Sequence, residues 1–365
     1  MRYTIHKEAA VPAYLQLYRQ IRDDITNEIY PCGSKLPSKR LVADETGLST
    51  VTVEHAYSLL CDEGYAQARQ RCGYFVAFRP DDGFAVASGR EAGRPPAAFS
   101  VCHAGTASEF PFSVLTKTMR RVMSEYAEAI LDRSPNAGCL PLREAIRQYL
   151  ARSRGIRAET AQIVIGSGAE YLYGLIVELM GRERVYAIES PSYQKIEQVY
   201  RAGEVRCEML PLGQDGIESR ALWASQATVL HITPYRSFPS GVTASASKRH
   251  EYLRWAAKNR RYLVEDDYES EFSVSRKPEE TLFSYTDDDN VIYMNTFSQT
   301  VSPSLRAGYM VLPAHLVSVF EQKLGFYSCT VPTYIQLVLA ELIVGGDFER
   351  HINRVRRRKR RELRP

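Results

Sequence analysis

The stretch 80–98 reads Asp-Asp-Gly, then Ala-Ser-Gly-Arg and Ala-Gly-Arg-Pro-Pro, with almost nothing large and apolar. A segment of that composition cannot bury a core and behaves as a linker. It divides the chain into two parts, each of which has to build its own core. Residues 1–79 are dense in short helical patterns. From about residue 99, apolar strand-like runs alternate with amphipathic helical stretches, which is the pattern of an α/β domain. The expected organisation is a small domain over 1–79, a linker over 80–98 and a large domain over 99–365. A length of 365 residues agrees with two domains at ~150 residues each.

Composition excludes several classes. Hydrophobic residues at 44% and charged residues at 25% are ordinary globular values, so the chain is neither disordered nor collagen-like. No apolar run reaches the ~18 residues that span a bilayer. Tyr171–Met180 and Ile335–Val344 are the best candidates, and each is short and carries a glutamate. Met1–Ala10 has no apolar signal core, so a cytoplasmic protein with no membrane partner is expected. The seven cysteines are scattered and none forms a Cys-x-x-Cys pair, which indicates reduced thiols and no metal site. The net charge of +4 is misleading, because Arg354–Arg364 alone carries eight basic residues and one acid. Charge balance therefore does not mark a nucleic-acid binder, and local motifs have to.

The small domain supplies such motifs. Pro12 opens a helical pattern with Tyr14, Leu17, Tyr18, Ile21 and Ile25 on one face, and Pro31 and Gly33 are its expected end. Ser38 is a good N-cap for a short helix over 39–46, which Gly47 stops. Ser49 caps a third helix with Val53, Ala56, Tyr57 and Leu60 on its inner face. Two helices across the Thr46-Gly47-Leu48 turn make a helix-turn-helix, and Tyr65–Ala77 reads as a hairpin wing. In such a module the third helix enters the major groove. Ser49, Thr50, Thr52 and His55 would then reach base edges, and Lys39, Arg40 and Arg71 would reach phosphates. A small helical domain that binds protein has the same periodicity.

The ordered strings decide between them. Gly33-Ser-Lys-Leu-Pro-Ser-Lys-Arg-Leu-Val-Ala, Thr46-Gly-Leu-Ser, Thr52-Val, Ala56-Tyr-Ser-Leu-Leu, Glu63-Gly-Tyr and Gly73-Tyr-Phe-Val together resemble a GntR-type winged helix over about residues 11–78. The resemblance implies binding to double-stranded DNA and adds Ser38 and Gly73 to the DNA-facing set. Thr50 stands where the family usually has arginine, which implies an altered DNA preference.

In the large domain, the strand Ile163–Ile165 runs into Gly166-Ser167-Gly168-Ala169 and a helix from Glu170. A small-residue turn at a helix N-terminus presents N–H groups and a positive dipole end to a phosphate. Glu189-Ser-Pro-Ser-Tyr193, Ile232-Thr-Pro-Tyr-Arg-Ser-Phe and Glu265-Asp266-Asp267-Tyr268 each follow an apolar strand, where ligands gather in α/β sheets. Tyr293–Tyr309 carries Thr296, Ser298 and Arg306, the makings of a phosphate cup. Each residue has a plain alternative, with Asp266 a helix cap, Tyr193 a core residue and Arg306 a surface ion pair.

Taken in order, these motifs resemble the aspartate aminotransferase fold (fold type I) that binds pyridoxal phosphate. Joined to a winged helix, they resemble the MocR subfamily of GntR regulators. Gly138-Cys-Leu-Pro-Leu-Arg-Glu-Ala-Ile is similar to that family's approach to the cofactor. The resemblance implies that Gly168 and Ala169 hold the phosphate by their backbone and that Tyr193 stacks on the ring. It implies Asp266 at the ring nitrogen, Tyr268 at the phenolic oxygen, and Thr296, Ser298 and Arg306 around the phosphate. Three departures follow from the same comparison. Arg236 replaces a customary histidine. Gln299 stands at the position of the lysine that bonds the cofactor covalently. The chain also stops at Pro365, before the family's C-terminal subdomain.

The expectation is a transcription regulator, a homodimer, whose large domain senses a pyridoxal-type or small amino-compound effector and holds pyridoxal phosphate without a covalent bond. The rival is an aminotransferase with an accessory DNA-binding domain. An aminotransferase needs a protein amine at position 299, and glutamine has none, so no catalytic residue is assigned. A third reading makes the large domain a mere dimer scaffold.

Overall fold

Helix α1 (Ala13–Thr26) begins after Pro12 and buries Leu17, Tyr18, Ile21 and Ile25. It ends ahead of the expected Pro31, because Glu28 takes a positive φ of 59° that no helix can continue through. Ser38 accepts from the Leu41 N–H and opens α2 (Lys39–Thr46), which Gly47 ends in the left-handed region. Ser49 caps α3 (Thr50–Asp62) by accepting from the Thr52 N–H. Strands β1 (Ala66–Arg69) and β2 (Gly73–Val76) pair antiparallel as the wing. The apolar faces of α1 and α3 meet in one core with Leu36, Val42 and Val76.

This computed structural model describes residues 3–6, 11–69, 72–79, 110–268, 270–273, 280–286 and 288–362. The chain forms two compact units, Met1–Cys102 and His103–Pro365. The expected linker, 80–98, lies outside the described residues.

The second unit runs α4 (Phe112–Tyr126), α5 (Leu140–Ser153), β3 (Ile163–Gly166), α6 (Ala169–Met180), β4 (Val185–Ser190), α7 (Gln194–Ala202), β5 (Arg206–Gly213) and β6 (Gly216–Ile217). It continues through α8 (Ser219–Ala224), β7 (Val229–Ile232), α9 (Ala246–Ala257), β8 (Tyr262–Asp266), α10 (Leu282–Tyr285), β9 (Val291–Thr296), β10 (Gly308–Val311), α11 (Ala314–Leu324), α12 (Thr333–Val344) and α13 (Asp347–Glu362). The sheet order is β3-β10-β9-β8-β7-β4-β5-β6. The pairs β4–β5, β4–β7, β7–β8 and β8–β9 are parallel, while β10 runs antiparallel between β3 and β9. Strands β3, β7, β9 and β10 are buried along their whole length, as expected where both sheet faces are covered, whereas β5 near the sheet edge is mostly half-buried or exposed. Along β10, Tyr309 and Val311 pack with α5 and α12, while Met310 and Leu312 pack with α6 and α11. Helix α13, which carries the basic run, is amphipathic and buries Phe348, His351, Ile352 and Val355.

The topology sets one edge apart. The C-terminal ends of β3, β4, β7, β8 and β9 lie together, and antiparallel β10 starts at that edge, with Gly308 opposite both Gly166 and Thr296. Segments far apart in sequence therefore converge there.

Gly138 is a place where only glycine fits. Its φ is +104°, and a Cβ would overlap Ile165 and press on Gln336, whose Oε1 already accepts from the Cys139 N–H. Gly138→Ala should cost about 3 kcal/mol through strain and overpacking. Urea unfolding followed by tryptophan fluorescence checks this, because both tryptophans, Trp223 and Trp255, lie in the large unit.

Candidate functional site

The first site is the outer face of α3. Its opening hydroxyls are partly committed, since Ser49 Oγ lies 2.8 Å from Thr52 Oγ1 and also accepts from the Thr52 N–H. Thr50 is exposed. His55 stacks on Tyr14 of α1, with ring centroids 4.1 Å apart, so its ring is braced within the domain. Lys39 pairs with Glu54 of α3 at 2.6 Å, and Arg40 is exposed. Gly73 opens β2 at φ +103°, with Lys35 beside it. Arg71 lies outside the described residues. The sequence reading passed over Val51, which is 73% exposed on the same helix face. An apolar residue in the first turn of a groove helix is suited to a thymine methyl. The apolar spacing of α3 marks only its buried face, Val53, Ala56, Tyr57 and Leu60, so an exposed valine carries no periodic signal.

The second site is a cleft of about 360 Å³ at the sheet edge described above. Ala169, Tyr193, Asp266, Tyr268, Thr296, Ser298, Gln299 and Arg306 all line it, so residues expected from four separate motifs meet. Gly168 stands just behind, with φ +97°, and a Cβ there would press on the Arg306 guanidinium. The backbone thus approaches Arg306 as closely as glycine permits.

Asp266 forms the floor. It ends β8 and is 3% exposed, which rules out the helix-cap alternative. Its Oδ2 accepts from the Tyr173 hydroxyl at 2.5 Å and lies 3.5 Å from His231 Nε2. His231 Nδ1 is in turn 2.7 Å from the Tyr200 hydroxyl. Burial, and then the neighbouring Asp266 charge, push the Tyr173 phenol well above its usual range, so it remains a donor. Among the described residues, Asp266 Oδ1 is buried and has no hydrogen-bond partner.

The walls are aromatic. Tyr193 is half-exposed and meets Phe238 edge to face, with centroids 6.1 Å apart. Tyr268 donates to the Arg236 carbonyl at 3.0 Å, tying the β8 loop to the β7 loop. The β7 loop is fixed from below by Glu189, which accepts from Thr233 at 2.5 Å and Ser237 at 2.8 Å. At the far end Arg306 does make the ion pair of the plain alternative, but within the cleft. Its Nη2 donates to Glu170 Oε2 at 2.9 Å, while Lys195 Nζ donates to Glu170 Oε1 at 2.7 Å. Glu170, Lys195, Phe238, Tyr173 and His231 were not singled out from sequence. Only their convergence marks them.

Two family models match the chain. The one described as bacterial regulatory proteins, gntR family, covers residues 13–76, and the one for aminotransferase class I and II covers 106–364. The chain is 32% identical to the uncharacterized HTH-type transcriptional regulator YdeL of Bacillus subtilis, over 98% of this chain and 80% of that one. It is 27% identical to the probable rhizopine catabolism regulatory protein MocR of Rhizobium meliloti, over 97% and 76%. It is also 27% identical to the HTH-type pyridoxine biosynthesis transcriptional regulator PdxR of Corynebacterium glutamicum, over 98% and 79%. Among solved structures, a kynurenine aminotransferase of Pyrococcus horikoshii matches with a TM-score of 0.62 and 26% identity, over 68% of this chain. The chain spans 64% of that enzyme's length.

Partial burial works against the Glu170 charge, but the bonds from Lys195 and Arg306 outweigh it and hold the carboxyl down to about 2. A depressed carboxyl stabilises the fold above its unfolded value of about 4.5, and the contribution is lost as pH falls toward about 2. Glu170→Gln should therefore flatten the loss of large-unit stability between about pH 4.5 and 2, as read by denaturant midpoints.

Proposed function

We propose, from the premise that this chain belongs to the MocR type of GntR-family transcriptional regulators, which join a GntR domain to an aminotransferase class I and II domain, that its large unit is a ligand sensor rather than a catalyst. In this reading the winged helix binds double-stranded DNA in the cytoplasm, and the cleft holds pyridoxal phosphate, or its ready-made adduct with a small amino compound, without a covalent bond. The large unit also pairs with a second copy. The exposed apolar side chains Phe112, Leu131, Leu140 and Phe326 support that pairing.

The carrying observation is the unpartnered Oδ1 of Asp266 on the cleft floor. A buried acceptor without a partner costs about 1–3 kcal/mol, and a protonated ring nitrogen would satisfy it. The rest of the cleft suits the same molecule. Tyr193 offers a face to the ring. The α6 N-terminus, with Ala169 and Gly168, together with Thr296, Ser298 and Arg306, offers donors to a phosphate. When bound, pyridoxal phosphate supplies an electrophilic carbonyl conjugated to an electron-withdrawing ring. The Gln299 amide lines the cleft but cannot attack a carbonyl, because its nitrogen lone pair is delocalised. What this chain does is therefore bind and orient. A dissociation constant near ~1 µM requires ~8 kcal/mol, within reach of several charge-assisted hydrogen bonds and a stack. A regulator would then couple cleft and DNA by ~1–3 kcal/mol.

Two measurements test this. Asp266→Asn should weaken pyridoxal phosphate binding about tenfold or more by isothermal titration, matching the loss of ~1.5–3 kcal/mol for a charge-assisted bond. Unchanged affinity would remove the floor from the proposal. On the DNA side, Arg40→Ala should weaken binding to all sequences alike and reduce the salt slope by about 1. A gel-shift titration in which affinity and slope both stay the same would show that Arg40 touches no phosphate.

A further inference from the structure

Glu170 sits where a phosphate-binding cleft has least use for a negative charge. It lies in the first turn of α6, one residue beyond Ala169, at the helix end that attracts anions. Among the described residues lining the cleft, the cations are Lys195 and Arg306, and Glu170 takes one with each carboxylate oxygen. The two cations reach it from separate elements, Lys195 from α7 and Arg306 from the turn before β10. A Cβ at Gly168 would press on the Arg306 guanidinium, so Arg306 already lies beside the α6 N-terminus. What it lacks is a free charge.

We infer that Glu170 is a built-in competitor for the anion, so that a phosphorylated ligand enters by displacing this carboxylate from Arg306. This rests on the reading of the cleft as a pyridoxal phosphate site and names the residue that sets its selectivity. The consequence is a ligand held more loosely than the donor set alone would allow. A sensor has to release its ligand when the concentration falls, and an internal carboxylate provides this without removing any donor. The charge is permanent in the working range, because the carboxyl is held at about 2. Its effect falls chiefly on the phosphate, because the ion pairs it makes are with Lys195 and Arg306. Tyr193 and the Asp266 floor meet the ring, and neither bonds to Glu170 in the contacts given above.

The test is equilibrium binding of pyridoxal phosphate and of pyridoxal to the full chain, its Glu170→Gln variant and its Lys195→Gln variant, with thermal melts to establish that each is folded. Glu170→Gln should tighten pyridoxal phosphate about tenfold, equivalent to ~1.4 kcal/mol, and leave pyridoxal within about twofold. Lys195→Gln should weaken pyridoxal phosphate, because Glu170 then falls to Arg306 alone and one cation is gone. A purely structural role for the triad would weaken binding in both variants. If the unaltered chain binds pyridoxal phosphate and Glu170→Gln binds it equally or less well, the inference is overturned while the cleft reading stands. If neither binds it, the cleft reading falls and takes the inference with it. Should Glu170→Gln prove unfolded, Glu170→Ala replaces it with the same expected directions.

Discussion

The buried carboxylate of Asp266 is the constraint around which the large unit is arranged. Taking such a charge out of water costs several kcal/mol unless donors meet it. Tyr173 of α6 donates to it, and His231 of β7, held by Tyr200 of α7, stands 3.5 Å away with no hydrogen bond from Nε2 among the described residues. One carboxyl group thus gathers groups from two helices and two strands at the sheet edge where the cleft opens. The arrangement is one-sided, because it engages Oδ2 and leaves Oδ1 without a partner among the described residues.

The residues on either side of Asp266 show how a strand end divides its work. Glu265 and Asp267 point to the opposite face. Glu265 accepts from the Leu282 and Phe283 N–H groups at the start of α10 and from the Tyr235 hydroxyl, while burial pushes its carboxyl up to about 7. Asp267 accepts from Tyr293 at 2.7 Å and pairs with the buried Arg154, which also approaches Glu271. Three consecutive acids therefore do three jobs. One caps a helix, one anchors an internal ion pair, and the middle one alone reaches the cleft.

Much of this was legible in the sequence because it is local. Ser38 and Ser49 cap the helices they precede, and Gly47 ends α2 in the conformation that glycine favours. Cleft residues carried by ordered motifs, from Gly168 to Arg306, could be named before their geometry was known. What the sequence hid depends on topology. Glu170 meets partners 25 and 136 positions away, and only antiparallel β10 brings the second of them back. Tyr173, Tyr200 and His231 read as core aromatics, and most of their surface is core. Their polar ends matter because β7 and β8 are neighbours, which no local spacing reveals. The stack of His55 on Tyr14 was equally hidden, because it joins α1 to α3 across 41 positions.

Position 299 lines the cleft proposed to hold pyridoxal phosphate. The most direct test restores the missing amine. Gln299→Lys is incubated with pyridoxal phosphate, reduced with borohydride, digested and mapped by mass spectrometry, beside the unaltered chain. The account predicts a pyridoxyl group on residue 299 of the variant, and a ligand that gel filtration removes from the unaltered chain. A variant labelled only at surface lysines or at Lys195, with residue 299 unmodified, would contradict it.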